Sequence, residues 1–169
     1  MSGAALLSWW YQGRLRAAWS GRLLDFTGLA AGAYLVGTPG LYDVSANLEV
    51  QRHLVGADDP ARVFPRWPYF AVLMRPFSWM PYVSAARVWM ALMVIAFAAF
   101  VALFPATPRW ITALTVCWSI PAFDALGQGQ DTPLLLVFLG ACLLLYRAGL
   151  PFAAGLLWRC AGRSITYSC

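Results

Sequence analysis

The sequence predicts an all-helical integral membrane protein, with several spanning helices preceded by an amphipathic region at the outer membrane face. Two observations carry that expectation. Charged residues make up 11% of the 169 residues and hydrophobic ones 61%, against about 25% charged in an ordinary soluble domain. A charge-free run extends from Val88 to Pro108, and roughly 20 apolar residues cross a bilayer as a helix. A surface with so little charge is expected against lipid.

The first part of the chain, residues 1–83, reads as amphipathic and interfacial. Leu6, Leu7, Trp9, Trp10 and Tyr11 are interrupted by Arg14 and Arg16, and Leu23 to Val36 holds one charge, Asp25, before the turn Gly37-Thr38-Pro39-Gly40. Such helices lie on or beside a membrane. Leu48 to Val55 reads as a short polar helix closed by the loop from Gly56 to Pro60. Phe64 to Tyr82 carries Pro65, Pro68, Pro76 and Pro81 among many aromatic residues. Proline at that density excludes a straight helix, and Trp67, Tyr69, Trp79 and Tyr82 suit an interfacial aromatic belt. The segment is expected at the membrane surface, partly dipping in.

Residues 84–158 read as the spanning part. Ser84 to Phe104 is a full-length span; Trp110 to Phe123 and Thr132 to Tyr146 are shorter candidates, and a fourth helix begins at Leu150. The polar stretch Asp124 to Asp131 then lies near the membrane face or in a protein-lined cavity, since lipid cannot satisfy its polar groups. Arg109 and Arg147 in short loops mark the cytoplasmic side, which puts Phe64–Tyr82 and Asp124–Asp131 outside. Residues 159–169, RCAGRSITYSC, change character where a span is expected to continue, the pattern of a truncated or frame-shifted chain.

The net charge is +5, but the arginines are scattered singly, without the block or stripe that binds nucleic acid. All twelve basic residues are arginine, which fits a GC-rich bacterial coding sequence. The four cysteines show no CxxC or Cys/His spacing, so neither a disulfide framework nor a metal site is expected. The apolar start precedes its arginines, the reverse of a secretory signal. No P-loop, GxGxxG, GxSxG or HExxH occurs, and no cofactor is expected.

Three groups carry candidate chemistry. Asp25 sits beside apolar surface, where a carboxylate is costly unless paired or used, and where burial favours general-base work; it equally fits a helix-surface aspartate paired with Arg22. In FDALGQGQDTP, Gln128, Gln130 and Asp131 offer amides and a carboxylate to sugar hydroxyls or an ion; Asp131 and Thr132 ahead of Pro133 equally fit a helix cap. Arg62, Arg66 and Arg75, with His53 upstream, suit a lipid phosphate or general attraction to anionic headgroups.

Taken in order, Asp25-Phe26, the GLYD turn at Gly40 to Asp43, FPRWPYFAVLMRPFSWMPY, the span opening Ala86-Arg87-Val88-Trp89, GQGQD before an apolar run, and YRAGLPFAAGLL resemble glycosyltransferase family 87 over Asp25 to Leu157. These are polyprenol-phosphate-mannose-dependent alpha-mannosyltransferases of the multi-pass GT-C type. The resemblance implies a partial GT-C-like fold in the plasma membrane with its active face outside the cytoplasm. It also implies a lipid-linked sugar donor and a glycolipid or polysaccharide acceptor. By position Asp25 is then the base, Arg66 or Arg75 holds the phosphate, and Gln130 and Asp131 line the acceptor or sugar cavity or shape the helix beside it. A non-catalytic multi-pass protein binding a polyprenyl lipid or a partner is the alternative; a transporter lacks the second broken helix it requires.

Overall fold

The computed structural model describes residues 12–13, 16, 19–20, 23–56, 63–104 and 108–162. It is all-helical, with no strand among the described residues. Arg22 and Arg62 lie outside them, as do the residues from 163 on. Two compact units result. One comprises Met1–Met90 with Gly127–Gly129, the other Ala91–Leu126 with Gln130–Cys169.

The first unit is organised around α1, Leu24–Leu35. Asp25 in its first turn complements the positive end of the helix dipole, and Gly37, at φ +82, turns the chain beyond its end. Every residue from Phe26 to Ala33 is buried. Since 3.6 residues complete a turn, a run of that length is covered on all sides. The membrane-lying amphipathic helix expected at Leu23–Val36 is therefore corrected to a core helix. Its small residues Gly28, Ala30, Ala31, Gly32 and Ala33 let neighbours approach its backbone closely, and the interruption by Asp25 alone marks an end of the helix, not a wet face.

A 3-10 turn, Pro39–Tyr42, leads into α2, Val44–Val55. Asp43 caps α2 by accepting the Ala46 amide at 2.8 Å, the bond an N-cap side chain makes to the third helical residue. Gly56 at φ +67 ends it. The proline-aromatic segment forms no straight helix. It folds as α3, Pro68–Met74, with Pro68 at its first position, then a 3-10 turn, Arg75–Trp79. Both pack on α1.

Helix α4, Tyr82–Leu103, begins in the first unit and continues in the second. Its 22 residues extend about 33 Å at 1.5 Å per residue, enough for a hydrocarbon core of about 30 Å. It alone among the described helices is long and apolar enough to cross a membrane, and one bent pair of helices passes the same test as a unit. Val83, Val88, Leu92, Val94 and Ile95 are exposed along it, where a water-facing helix would carry charge.

That bent pair is α5, Arg109–Trp118, and α6, Ile120–Gln128, with about 61° between them. It replaces the continuous helix expected over Trp110–Phe123. Pro121 cannot extend the hydrogen-bond ladder of α5, and the Ser119 hydroxyl accepts the Ala122 amide at 3.3 Å, capping a new helix. In consequence the first half of the polar stretch, Asp124 to Gln128, is helical. The chain then leaves α6 through Gly129 at φ +74, and the Gln130 amide reaches back to the Ala125 carbonyl at 2.8 Å, the six-to-one closure of a Schellman end.

In the second unit α7, Thr132–Arg147, and α8, Pro151–Gly162, pack on each other as a hairpin. Cys142 donates to the Ala154 carbonyl at 3.4 Å. Gly140 lets α7 lie against α4, where an added Cβ would stand 3.3 Å from that of Leu103.

Candidate functional site

Asp25 is half-buried in the first turn of α1. Its neighbour Phe26 is fully buried in an aromatic cluster. The rings of Phe77, Tyr82 and Trp89 stand 6.0, 5.8 and 5.8 Å from that of Phe26, Trp89 stacked and Phe77 edge-on. Thr27 donates to the Leu23 carbonyl at 2.9 Å. Its single proton thus committed, it accepts from the Tyr82 hydroxyl at 2.7 Å. These contacts fix the backbone that carries Asp25 against the start of α4.

The same cluster receives the GQGQD motif. Trp89 donates from its indole nitrogen to the Gly129 carbonyl at 2.8 Å. A side chain at Gly129 would meet the Cβ atoms of Phe26 and Leu23 at 2.8 and 3.1 Å. Position 129 is thus glycine for two reasons: a left-handed φ and backbone contact with the residues flanking Asp25. Gln128 belongs to this unit as well. Gln130 and Asp131 follow in sequence but belong to the second unit.

Asp131 is buried, 4% exposed, at the N-cap position of α7. The capping role considered for it is not made by its side chain. Its carbonyl accepts the Leu134 amide at 3.0 Å, while Thr132 donates to the side-chain oxygen of Gln130 at 3.2 Å. Gln130 is thereby oriented by its own neighbour, and the carboxylate lies at the positive end of a 16-residue helix.

The two arginine candidates separate along α1. Arg75 opens the 3-10 turn that carries Phe77 onto Phe26, so it belongs to the Asp25 end. Its side chain is exposed. Arg66 follows Phe64, whose ring covers Gly32 so closely that a Cβ there would lie 2.2 Å from it. Gly32 is two turns beyond Asp25, about 10 Å along the helix. Arg66 therefore belongs to the far end, where Tyr42 donates to its carbonyl at 2.9 Å. Partial desolvation pushes the Tyr42 phenol above its ordinary value.

Sequence reasoning missed Asn47, buried completely. Its amide nitrogen donates to the carbonyls of Leu41 at 2.9 Å and Asp43 at 2.8 Å, and more weakly to that of Gly40. Its oxygen accepts the Phe64 amide at 3.3 Å. The GLYD turn and the proline-aromatic segment are thus joined through one side chain, and an asparagine inside an otherwise ordinary polar helix gave no signal of it. The carboxyl of Asp43 is held below its ordinary range by the Ser45 hydroxyl and then the Ala46 amide. His53 is exposed on α2.

The second unit encloses an open cavity of about 530 Å³ lined by apolar side chains, among them Val94, Phe97, Val101, Phe123 and Leu126. Such a wall suits hydrocarbon and offers nothing to a sugar hydroxyl. Among the described residues no group of three His, Cys, Asp or Glu side chains gathers for a metal ion.

Comparison with known families finds a match to the model of glycosyltransferase family 87 over residues 67–158. The matched range takes in Arg75, Trp89, Gln130 and Asp131; Asp25 and Arg66 precede it. No curated protein and no solved structure matches the chain.

Proposed function

The chain belongs to glycosyltransferase family 87, and from that premise we propose that it moves mannose from a polyprenyl-phosphate carrier to a hydroxyl of a glycolipid or polysaccharide acceptor. The observation that carries this reading is the seating of Gly129 on Leu23 and Phe26, which ties the GQ motif to the helix turn presenting Asp25. A carboxylate there takes the proton of the acceptor hydroxyl as its oxygen bonds to the anomeric carbon. The bond from that carbon to the phosphate oxygen breaks, and the polyprenyl phosphate leaves with the electron pair.

Charge on the departing phosphate calls for a guanidinium. Arg75 is the better placed of the two candidates, being held at the Asp25 end of α1. Gln130 and Asp131 are proposed to line the sugar or acceptor cavity. The apolar cavity of the second unit is, taken by itself, of a kind that suits a hydrocarbon chain such as a polyprenyl group.

The proposal extends to a multi-pass topology in the plasma membrane, with α4 as one span, the bent α5–α6 pair as a broken one, and the active face outside the cytoplasm. In this arrangement residues 1–83 form the outer region and residues 84–158 the spanning part. Membership in a transferase family favours transfer over lipid binding without catalysis.

The test supplies membranes containing the protein with labelled mannose on a polyprenyl phosphate and, separately, on a nucleotide. Label is expected in the glycolipid or polysaccharide fraction from the lipid donor alone. Transfer from the nucleotide and none from the lipid contradicts the proposal.

A further inference from the structure

We propose that a cleft formed by Arg16, Trp19, Ser20, Arg87 and Met90 binds a phosphate group, and that its preferred source is the headgroup of an anionic lipid. The cleft holds about 560 Å³ and contributes none of the residues assigned to the transfer. Its lining includes two arginines, Arg16 and Arg87, and no acidic residue. Like charges so placed repel each other and raise the affinity of the cleft for an anion.

Arg87 is also set in position. Its Nε donates to the Trp19 carbonyl at 3.3 Å, and its guanidinium lies 5.1 Å from the centre of the Trp19 ring, within cation–π range. These two contacts set the plane of the fork. A guanidinium held in this way loses less freedom when it takes a phosphate through paired hydrogen bonds. Arg16 adds a second positive charge to the lining. Trp19 and Met90 add apolar surface beside the charges, which suits the first carbons of a phosphate ester. Trp19 is 66% exposed, so its ring still has area to offer.

The experiment uses the full chain purified in a neutral detergent, with fluorescent phosphatidic acid as probe, the matching phosphatidylcholine as control and inorganic phosphate as competitor. Phosphatidic acid is expected to bind in preference to phosphatidylcholine, and an Arg16→Gln/Arg87→Gln variant to bind it about tenfold more weakly or worse. Arg87→Lys, which keeps the charge and loses the fork, is expected to fall between. Displacement by inorganic phosphate supports recognition of the anion whatever carries it; resistance to displacement supports the lipid as the source. Equal binding of both lipids overturns the proposal. So does undiminished binding by the double variant once helix content and elution volume show it folded. Should that variant not fold, Arg16→Gln alone decides, because the fixed geometry of Arg87 does not depend on Arg16: unchanged binding overturns the proposal and weakened binding supports it.

Discussion

The indole of Trp89 donates to the carbonyl of Gly129 across 2.8 Å, and both residues touch Phe26, the neighbour of Asp25. One aromatic cluster thereby fixes the proposed base and the glycine motif in a single unit. A change that perturbs Gly129 is felt at Asp25 through packing, with no residue of the chemistry removed.

Replacing Gly129 with alanine is expected to lower both stability and transfer. A left-handed φ alone costs a non-glycine residue about 1–2 kcal/mol, and here the new Cβ also meets that of Phe26 at 2.8 Å. Gly37 has a comparable φ of +82 with open space around it, so Gly37→Ala isolates the conformational part. Thermal unfolding in detergent is expected to show the larger loss for Gly129→Ala, and transfer to be impaired in that variant alone.

Gly32 and Phe64 are expected to be coupled. Gly32→Ala drives a methyl group into the Phe64 ring, and overpacking of this kind costs about 1–3 kcal/mol. Phe64→Leu in the same chain gives the methyl room, so the double variant is expected to be more stable than the two single changes predict when summed. A double-mutant cycle on melting temperature measures that coupling.

Asp43 carries a pH-dependent contribution to stability. Its carboxyl is lowered in the folded state by the Ser45 hydroxyl and the Ala46 amide, so the contribution is full above the ordinary carboxylate range. It is lost as pH falls from about 5 through the folded value. Asp43→Asn retains a capping side chain without the titration. Melting followed by circular dichroism is expected to place wild type above Asp43→Asn at pH 7, with the gap narrowing at low pH.

Arg75 and Arg66 are expected to part company in kinetics. Arg75→Gln removes the guanidinium at the Asp25 end and is expected to lower kcat/KM for the lipid donor by about tenfold to a hundredfold, the loss of a charge-assisted hydrogen bond. Arg66→Gln keeps the backbone carbonyl that Tyr42 binds and is expected to change the same ratio less than threefold.

The parts of this architecture that local chemistry decides were legible in the sequence. The apolar run of α4, the kinked proline-aromatic segment and the helix after Asp131 follow from composition and from proline. The break at Ser119 was not foreseen, because an apolar run containing one proline reads the same whether it kinks or starts late. The burial of α1 escaped for a related reason: a helix of glycine and alanine looks weakly apolar along the chain, yet its smallness is what lets α3 and Phe64 close over it. In the candidate site, the grouping of Asp25 with Gly129 depends on contacts between residues about a hundred positions apart, which no local pattern encodes. Asn47 and Trp89 were opaque likewise, since Asn47 acts by joining a nearby turn to the Phe64 amide and Trp89 by binding the distant Gly129 carbonyl.

The central claim, that Asp25 is the base, is tested most directly by Asp25→Asn. The amide keeps the size and helical position of the carboxylate but cannot take the acceptor proton. Mannose transfer from mannosyl-phospho-polyprenol is expected to fall by about a hundredfold to ten-thousandfold, with the melting temperature and lipid-donor binding close to wild type. A variant that transfers mannose at the wild-type rate contradicts the account.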